Sequence, residues 1–261
     1  MSRKTKEIVF MSARYKSFVQ NHPITLFFFL LIFLFPLTTE ANPKKMRFHM
    51  QKKIVVIDPG HGGYEKGGQG PDGTFEKTVT LKFAQVLAEE LGKTYKTVLT
   101  RTDDYWVDIP ARSATANHVD ADMFISIHTD GSFLRQASGI SLYYYKKTSK
   151  STLTLDPDSS KEFKNDNTEV SWSNIQNRHQ QNSKILAELV RDRIGKQAQH
   201  KPGIQGAPLM VLEGADMPAI LIEIGYITNP VDEKSLHDID VLYKIAKEMR
   251  NGIDDFFEKF Q

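Results

Sequence analysis

The chain contains no cysteine. No disulfide can staple it, and any metal must be held by His, Asp or Glu. A dominant charge is also missing: 34 Lys and Arg against 32 Asp and Glu leave a net charge of +2. With no basic stripe interleaved with aromatics, nucleic acid is not an expected partner. No G-x-x-x-x-G-K-[ST] phosphate loop occurs, since Gly92-Lys93-Thr94 has Leu87 where the first glycine would stand, and the succession of long apolar spans found in a polytopic membrane protein is absent. What remains is ordinary for a protein that buries a core. Of 261 residues, 40% are apolar and 25% charged, enough for one domain with an appendage.

The appendage is N-terminal. Arg3, Lys4, Lys6, Arg14 and Lys16 precede the apolar run ITLFFFLLIFLFPL (Ile24–Leu37), and small residues follow at Thr39 and Ala41. A basic region, an apolar stretch and a small-residue site make residues 1–41 a secretory signal cleaved after Ala41, or else a retained membrane anchor. The run is shorter than the roughly 20 residues of a spanning helix and carries Pro36, which favours cleavage. Either way the rest of the chain is expected outside the cytoplasm, in the periplasm or cell-wall space. Residues 42–52 read as a linker and 53–261 as the working domain.

That domain alternates two periods. KIVVID (Lys53–Asp58), KTVLTR (Lys96–Arg101), DMFISIH (Asp122–His128), ISLYYY (Ile140–Tyr145), PLMVL (Pro208–Leu212) and AILIEIG (Ala219–Gly225) read as strands. Helical spacing of apolar residues recurs at Val79–Leu91, Ile185–Ile194 and Leu242–Phe260. Strands alternating with helices predict an α/β domain with a mostly parallel sheet flanked by helices. Near-continuous apolar runs suit strands covered on both faces. Residues 146–174 break the rhythm: rich in Ser, Thr, Asn, Asp and Lys and without a period, they read as a long polar insertion.

The first strand runs into GHGG (Gly60–Gly63), where backbone must approach something closely. A dinucleotide site would need G-x-G-x-x-G at the start of a helix, and here the helix begins only near Glu76. A metal is the better candidate. His61 follows the carboxyl end of one strand and His128 ends another, and open α/β sheets gather ligands at those ends. Glu76 opens the helix after the glycine loop. Two His and one carboxylate with an open position make a catalytic zinc set. Each residue alone also has a bland reading, as a turn histidine or as a glutamate complementing a helix dipole. Glu223 weighs differently. It lies between Ile222 and Ile224 in a strand, and a buried carboxylate needs a partner or a chemical task. The structural alternative is a salt bridge to Arg112 or Arg101.

IVVIDPGHGG, GTFEKTVTL, ANHVDADMFISIHTD and VLEGADMPAILIEIGYITNP resemble, in order, the signature segments of the zinc-dependent N-acetylmuramoyl-L-alanine amidases, the cell-wall amidases of the third amidase class. The resemblance runs from about Lys53 to the C-terminus. It implies a mixed α/β fold, with His61, Glu76 and His128 as zinc ligands and Glu223 as the catalytic glutamate. It also implies peptidoglycan as substrate, cleaved at the amide between N-acetylmuramic acid and the L-alanine of the stem peptide. Zinc-activated water and a glutamate general base would do the chemistry. Thr129 and Asp130 depart from the small alanine and the asparagine expected after SIH. In some members the segment after the second histidine blocks the zinc until a protein activator removes it, and here Asp156, Asp158, Glu162, Asp166 or Glu169 would supply the blocking carboxylate. A zinc peptidase or deacetylase, and a wall-binding module without catalysis, are the competing readings.

Overall fold

The computed structural model describes residues 52–147, 175–196 and 201–260. The N-terminal signal or anchor and residues 148–174 of the polar insertion lie outside the described residues. So the cleavage and autoinhibition expectations are not addressed by it.

Six strands form one sheet: β1 (Ile54–Pro59), β2 (Lys96–Leu99), β3 (Met123–Asp130), β4 (Ser141–Tyr145), β5 (Gly203–Ala207) and β6 (Ala219–Tyr226). Their order is β2-β1-β3-β6-β4-β5. Every neighbouring pair is parallel except β4 and β6, so the sheet is mostly parallel as expected. The helices are α1 (Glu76–Gly92), α2 (Ile109–His118), α3 (Gln180–Gly195), α4 (Met210–Glu213), α5 (Pro230–His237) and α6 (Ile239–Lys259).

Alternation along the strands divides the core in two. Val55 and Ile57, Ile125 and Ile127, and Ile220, Ile222 and Ile224 pack with Phe83 and Leu87 of α1, Leu186 and Val190 of α3, and Met249 and Ile253 of α6. At one point α3 and α6 come so close that a Cβ on Gly252 would lie 2.6 Å from the Val190 Cα. On the opposite face Val56, Phe124 and Leu221 meet Ala116 of α2 and Leu212 of α4, with Ala215 and Met217 beyond. This second layer is thinner, since α4 is a single turn.

One expectation fails locally, and three elements were not anticipated. Pro208–Leu212 is not a strand: β5 lies just before it at Gly203–Ala207, and Met210–Glu213 is helical. GIQGA has no apolar run to announce it; it is held at the sheet edge by backbone pairing to β4. Helix α2 was not legible either, because IPARSATANH buries only Arg112, Ser113 and Ala116 and shows no apolar stripe. Helix α5 likewise has few apolar positions, and its start is set by Pro230 and by Asn229, whose side chain accepts from the Val231 and Asp232 amides.

Candidate active site

Beyond its apolar half, the thinner face turns polar at the carboxyl ends of the strands. Asp58 follows Val56, Ser126 and His128 follow Phe124, and Glu223 follows Leu221, all on one face by the two-residue period. Parallel register sets His128 directly beside Glu223. His61 enters from the loop after β1, and Glu76 from the first residue of α1.

His61, Glu76 and His128 come together, and Glu223 lines the same cleft beside His128. Glu76 Oε1 lies 3.1 Å from His128 Nδ1, and Oε2 lies 3.1 Å from His61 Nε2. The two imidazoles meet edge to face with centroids 5.0 Å apart. One donor atom from each of His61, Glu76 and His128 falls within 4.8 Å of the others. Glu76 is buried and oriented by two amides, Gly68 N–H at 2.8 Å and Thr129 N–H at 3.0 Å. Burial alone would raise its pKa, but hydrogen bonds from His128 and His61 outweigh that and hold it far below the usual carboxylate range. His61 shows the reciprocal effect: burial opposes its charge, yet Glu76 and then Glu65 raise its pKa above the ordinary value. Two imidazoles and one ionised carboxylate, without sulfur, form a donor set that fits zinc.

Glu223 stands apart from this cluster. Its Oε2 is shut off from solvent and has no hydrogen-bond partner among the described residues. Burial, then repulsion from Glu76 and Asp130, raises its pKa to about 8. Neither proposed arginine partner reaches it. Arg112 pairs with Asp58 at 2.8 Å, and Arg101 donates to the carbonyls of Pro59, Gly60 and Lys77. The salt-bridge alternative for Glu223 is therefore not realised.

Both arginines hold the loop that carries His61. Arg112 also donates to the carbonyls of Pro59 and His61, so the two guanidiniums grip three successive carbonyls, from Pro59 to His61. His61 itself sits in the left-handed region at φ 60°, a conformation unusual for a residue with a side chain. Asp58 completes the support by accepting from Thr100, Arg112 and Ser126. Sequence reading did not single out Asp58; its signal was a carboxylate inside the first apolar strand, the same signal that marked Glu223.

Two glycines near the cluster stand where a side chain would collide with it. A Cβ on Gly60 would lie 2.3 Å from the His128 ring, and one on Gly67 would lie 2.6 Å from both His61 and Glu76. Their missing side chains make room for His61, Glu76 and His128 themselves. Access comes through a cleft of about 320 Å³, lined on its polar side by His61, Glu65, Arg112, His128 and Glu223. Ile109, Leu209, Met210, Val211 and Leu221 form its apolar wall. The arrangement can hold a divalent cation and present a carboxylate base beside it, in a cleft open to a large substrate.

Comparison with known proteins shows the family. The sequence matches the family described as N-acetylmuramoyl-L-alanine amidase over residues 55–255, and the chain belongs to that family. AmiA of Salmonella typhimurium is 30% identical over 226 residues, spanning 80% of this chain and 78% of AmiA. The solved N-acetylmuramoyl-L-alanine amidase from Clostridium difficile 630 superposes with a TM-score of 0.65 at 27% identity, covering 81% of this chain and all (100%) of that one. AmiC2 of Nostoc punctiforme gives 0.62 at 28% identity, over 79% and 98% of the two chains.

Proposed function

We propose that the chain hydrolyses the amide between N-acetylmuramic acid and L-alanine in peptidoglycan, with His61, Glu76 and His128 holding zinc and Glu223 as general base. The observation that carries this reading is the pairing of a three-donor cluster with a half-buried carboxylate whose Oε2 has no hydrogen-bond partner among the described residues. Family membership and the names of the relatives support the choice of substrate. Zinc in such a site polarises a carbonyl and lowers the pKa of water to about 7.

The protein's own groups do the rest. Glu76 contributes the one negative charge among the ligands, and its two amide donors keep both oxygens aimed at the imidazoles. Glu223, whose pKa of about 8 belongs to the metal-free site and would fall beside a divalent cation, can take a proton from the attacking water and deliver it to the departing amine of L-alanine. Arg112, Arg101 and Asp58 keep the His61 backbone in its strained conformation, so the site is preformed rather than assembled by substrate.

In this reading residues 1–41 export the domain, 42–52 link it and 53–261 catalyse, in the periplasm or cell-wall space. Among the described residues no helix is long and apolar enough to cross a membrane. A protein activator enters only if the 146–174 insertion covers the zinc.

The test is digestion of purified sacculi with parallel metal analysis. New L-alanine amines on intact stem peptides are expected, together with about one zinc per chain. In His128→Ala the zinc should fall to background. Cleaved glycan bonds or cross-links without free L-alanine, or full zinc in His128→Ala, would overturn the assignment.

A further inference from the structure

Two aromatic rings beside the cleft have no part in the chemistry described so far. Tyr64 is 75% exposed and Trp106 is 43% exposed, yet their rings stack on each other at 5.3 Å with a 30° tilt. Single exposed apolar residues are common, but a paired and immobilised aromatic surface is not, and such patches mark binding sites. The pair is held from beneath. Gly63 N–H donates to Asp104 Oδ1, and the Lys77 ammonium donates to both the Gly63 carbonyl and Asp104 Oδ2. Gly63 adopts φ +59°, and a Cβ there would lie 2.8 Å from the Trp106 nitrogen, so the two segments are in close contact.

Both segments lead into the cleft. Tyr64 follows His61 by three residues and precedes Glu65, which lines the cleft; Trp106 leads into α2, whose Ile109 and Arg112 line it too. We propose that Tyr64 and Trp106 form a stacking platform for a pyranose ring of the glycan strand, a sugar subsite at the rim of the cleft. The inference rests on the amidase reading for its ligand. In that substrate the scissile amide hangs from a sugar ring by a short lactyl ether, so a sugar must lie within a few ångströms of the cleft. The C–H face of a pyranose is apolar and slightly positive, and it complements the negative face of an aromatic ring while its hydroxyls stay in water. An apolar peptide side chain or a lipid would not use two tilted rings that remain half in solvent on a polar rim.

Two measurements on the zinc-loaded full chain test this. First, tryptophan emission is followed during titration with tetra-N-acetylchitotetraose, a glycan without peptide. A saturable change is expected in the wild type, absent in Trp106→Phe, which leaves Trp172 as the other fluorophore. Second, kcat/KM is compared for a muramoyl-peptide carrying a disaccharide and for the corresponding lactyl-peptide without sugar. The preference for the sugar-bearing substrate should fall about tenfold in Tyr64→Ala and in Trp106→Ala, the loss of one stacking contact. Tyr64 is mostly in solvent, so its removal leaves the fold in place even if the tryptophan variant is unstable. A flat titration with an unchanged substrate ratio overturns the platform, as does an equal emission change with the sugar-free lactyl-peptide. If neither substrate is cleaved by the wild type, the amidase reading fails, and the titration still decides the platform.

Discussion

The two faces of the sheet are made by alternate residues of the same strands, yet they behave differently. Toward α1, α3 and α6, the residues Val55, Ile57, Ile125, Ile127, Ile220, Ile222 and Ile224 stay apolar from end to end. Toward α2 and α4, apolar Val56, Phe124 and Leu221 give way to Asp58, Ser126, His128 and Glu223. The thick face can be covered by helices throughout and supplies the hydrophobic stabilisation. The thin face is left open at the carboxyl ends, and there these polar groups sit. Stability and chemistry are thus separated by the direction of a side chain, and a one-residue slip in register would exchange them.

Four substitutions or conditions probe that separation, from the largest expected effect to the smallest. Glu223→Gln keeps shape but removes the base. Turnover should fall about 10²–10⁴-fold while zinc content and thermal melting stay near wild type. A stable, zinc-loaded and fully active variant would sink the mechanism.

Asp58→Ala acts on the same face but through the scaffold. It strips the buried Arg112 of its carboxylate, at a cost of about 3–5 kcal/mol by chemical denaturation. That matches the 2–5 kcal/mol of a core truncation such as Ile125→Ala on the thick face. Unlike that truncation, it should also weaken zinc binding, because Arg112 holds the His61 carbonyl. If both variants bind zinc as the wild type does, the supporting role of Asp58 is wrong.

Gly60→Ala places a methyl group where the His128 ring lies. Zinc affinity should drop about 10–100-fold, as when a group supporting a metal ligand is lost. Competition with a chelator gives the value, and an unchanged affinity would show that the ring can yield.

The last test is of pH in the metal-free protein. Glu223 has a folded-state pKa raised from 4.5 to about 8, so between those values the folded chain holds a proton that the unfolded chain has lost. Stability from this group therefore declines as pH rises from about 4.5 to 8 and is level outside that window. Because water in the open cleft softens the desolvation, about 1–3 kcal/mol is expected. Glu223→Gln should flatten the profile. A profile that is the same in both proteins would place the cause elsewhere.

Much of this was legible from residue order. The strands around Ile54–Asp58, Met123–His128 and Ala219–Gly225 announced themselves because they are apolar on both faces, and His61, His128 and Glu223 stood out at their ends. What escaped were elements whose stability is not local. β5 is GIQGA held by pairing at the sheet edge, and α2 earns its place through Arg112 rather than an apolar stripe. The bland reading of Glu223 as a salt-bridge partner fell for the same reason, since sequence spacing cannot say that Asp58 already occupies Arg112.

By itself, the order of residues determined the α/β alternation, the absence of thiol ligands, the candidacy of His61, Glu76, His128 and Glu223, and the family resemblance. Each follows from period, composition or motif, which are properties of neighbours along the chain. Only the tertiary structure decided that Glu76 bridges two imidazoles, that Gly60 and Gly67 vacate space for ligand side chains, and that two arginines clamp the His61 loop. Those facts depend on distances between segments remote in sequence, and such distances are set by packing and register rather than by any local preference.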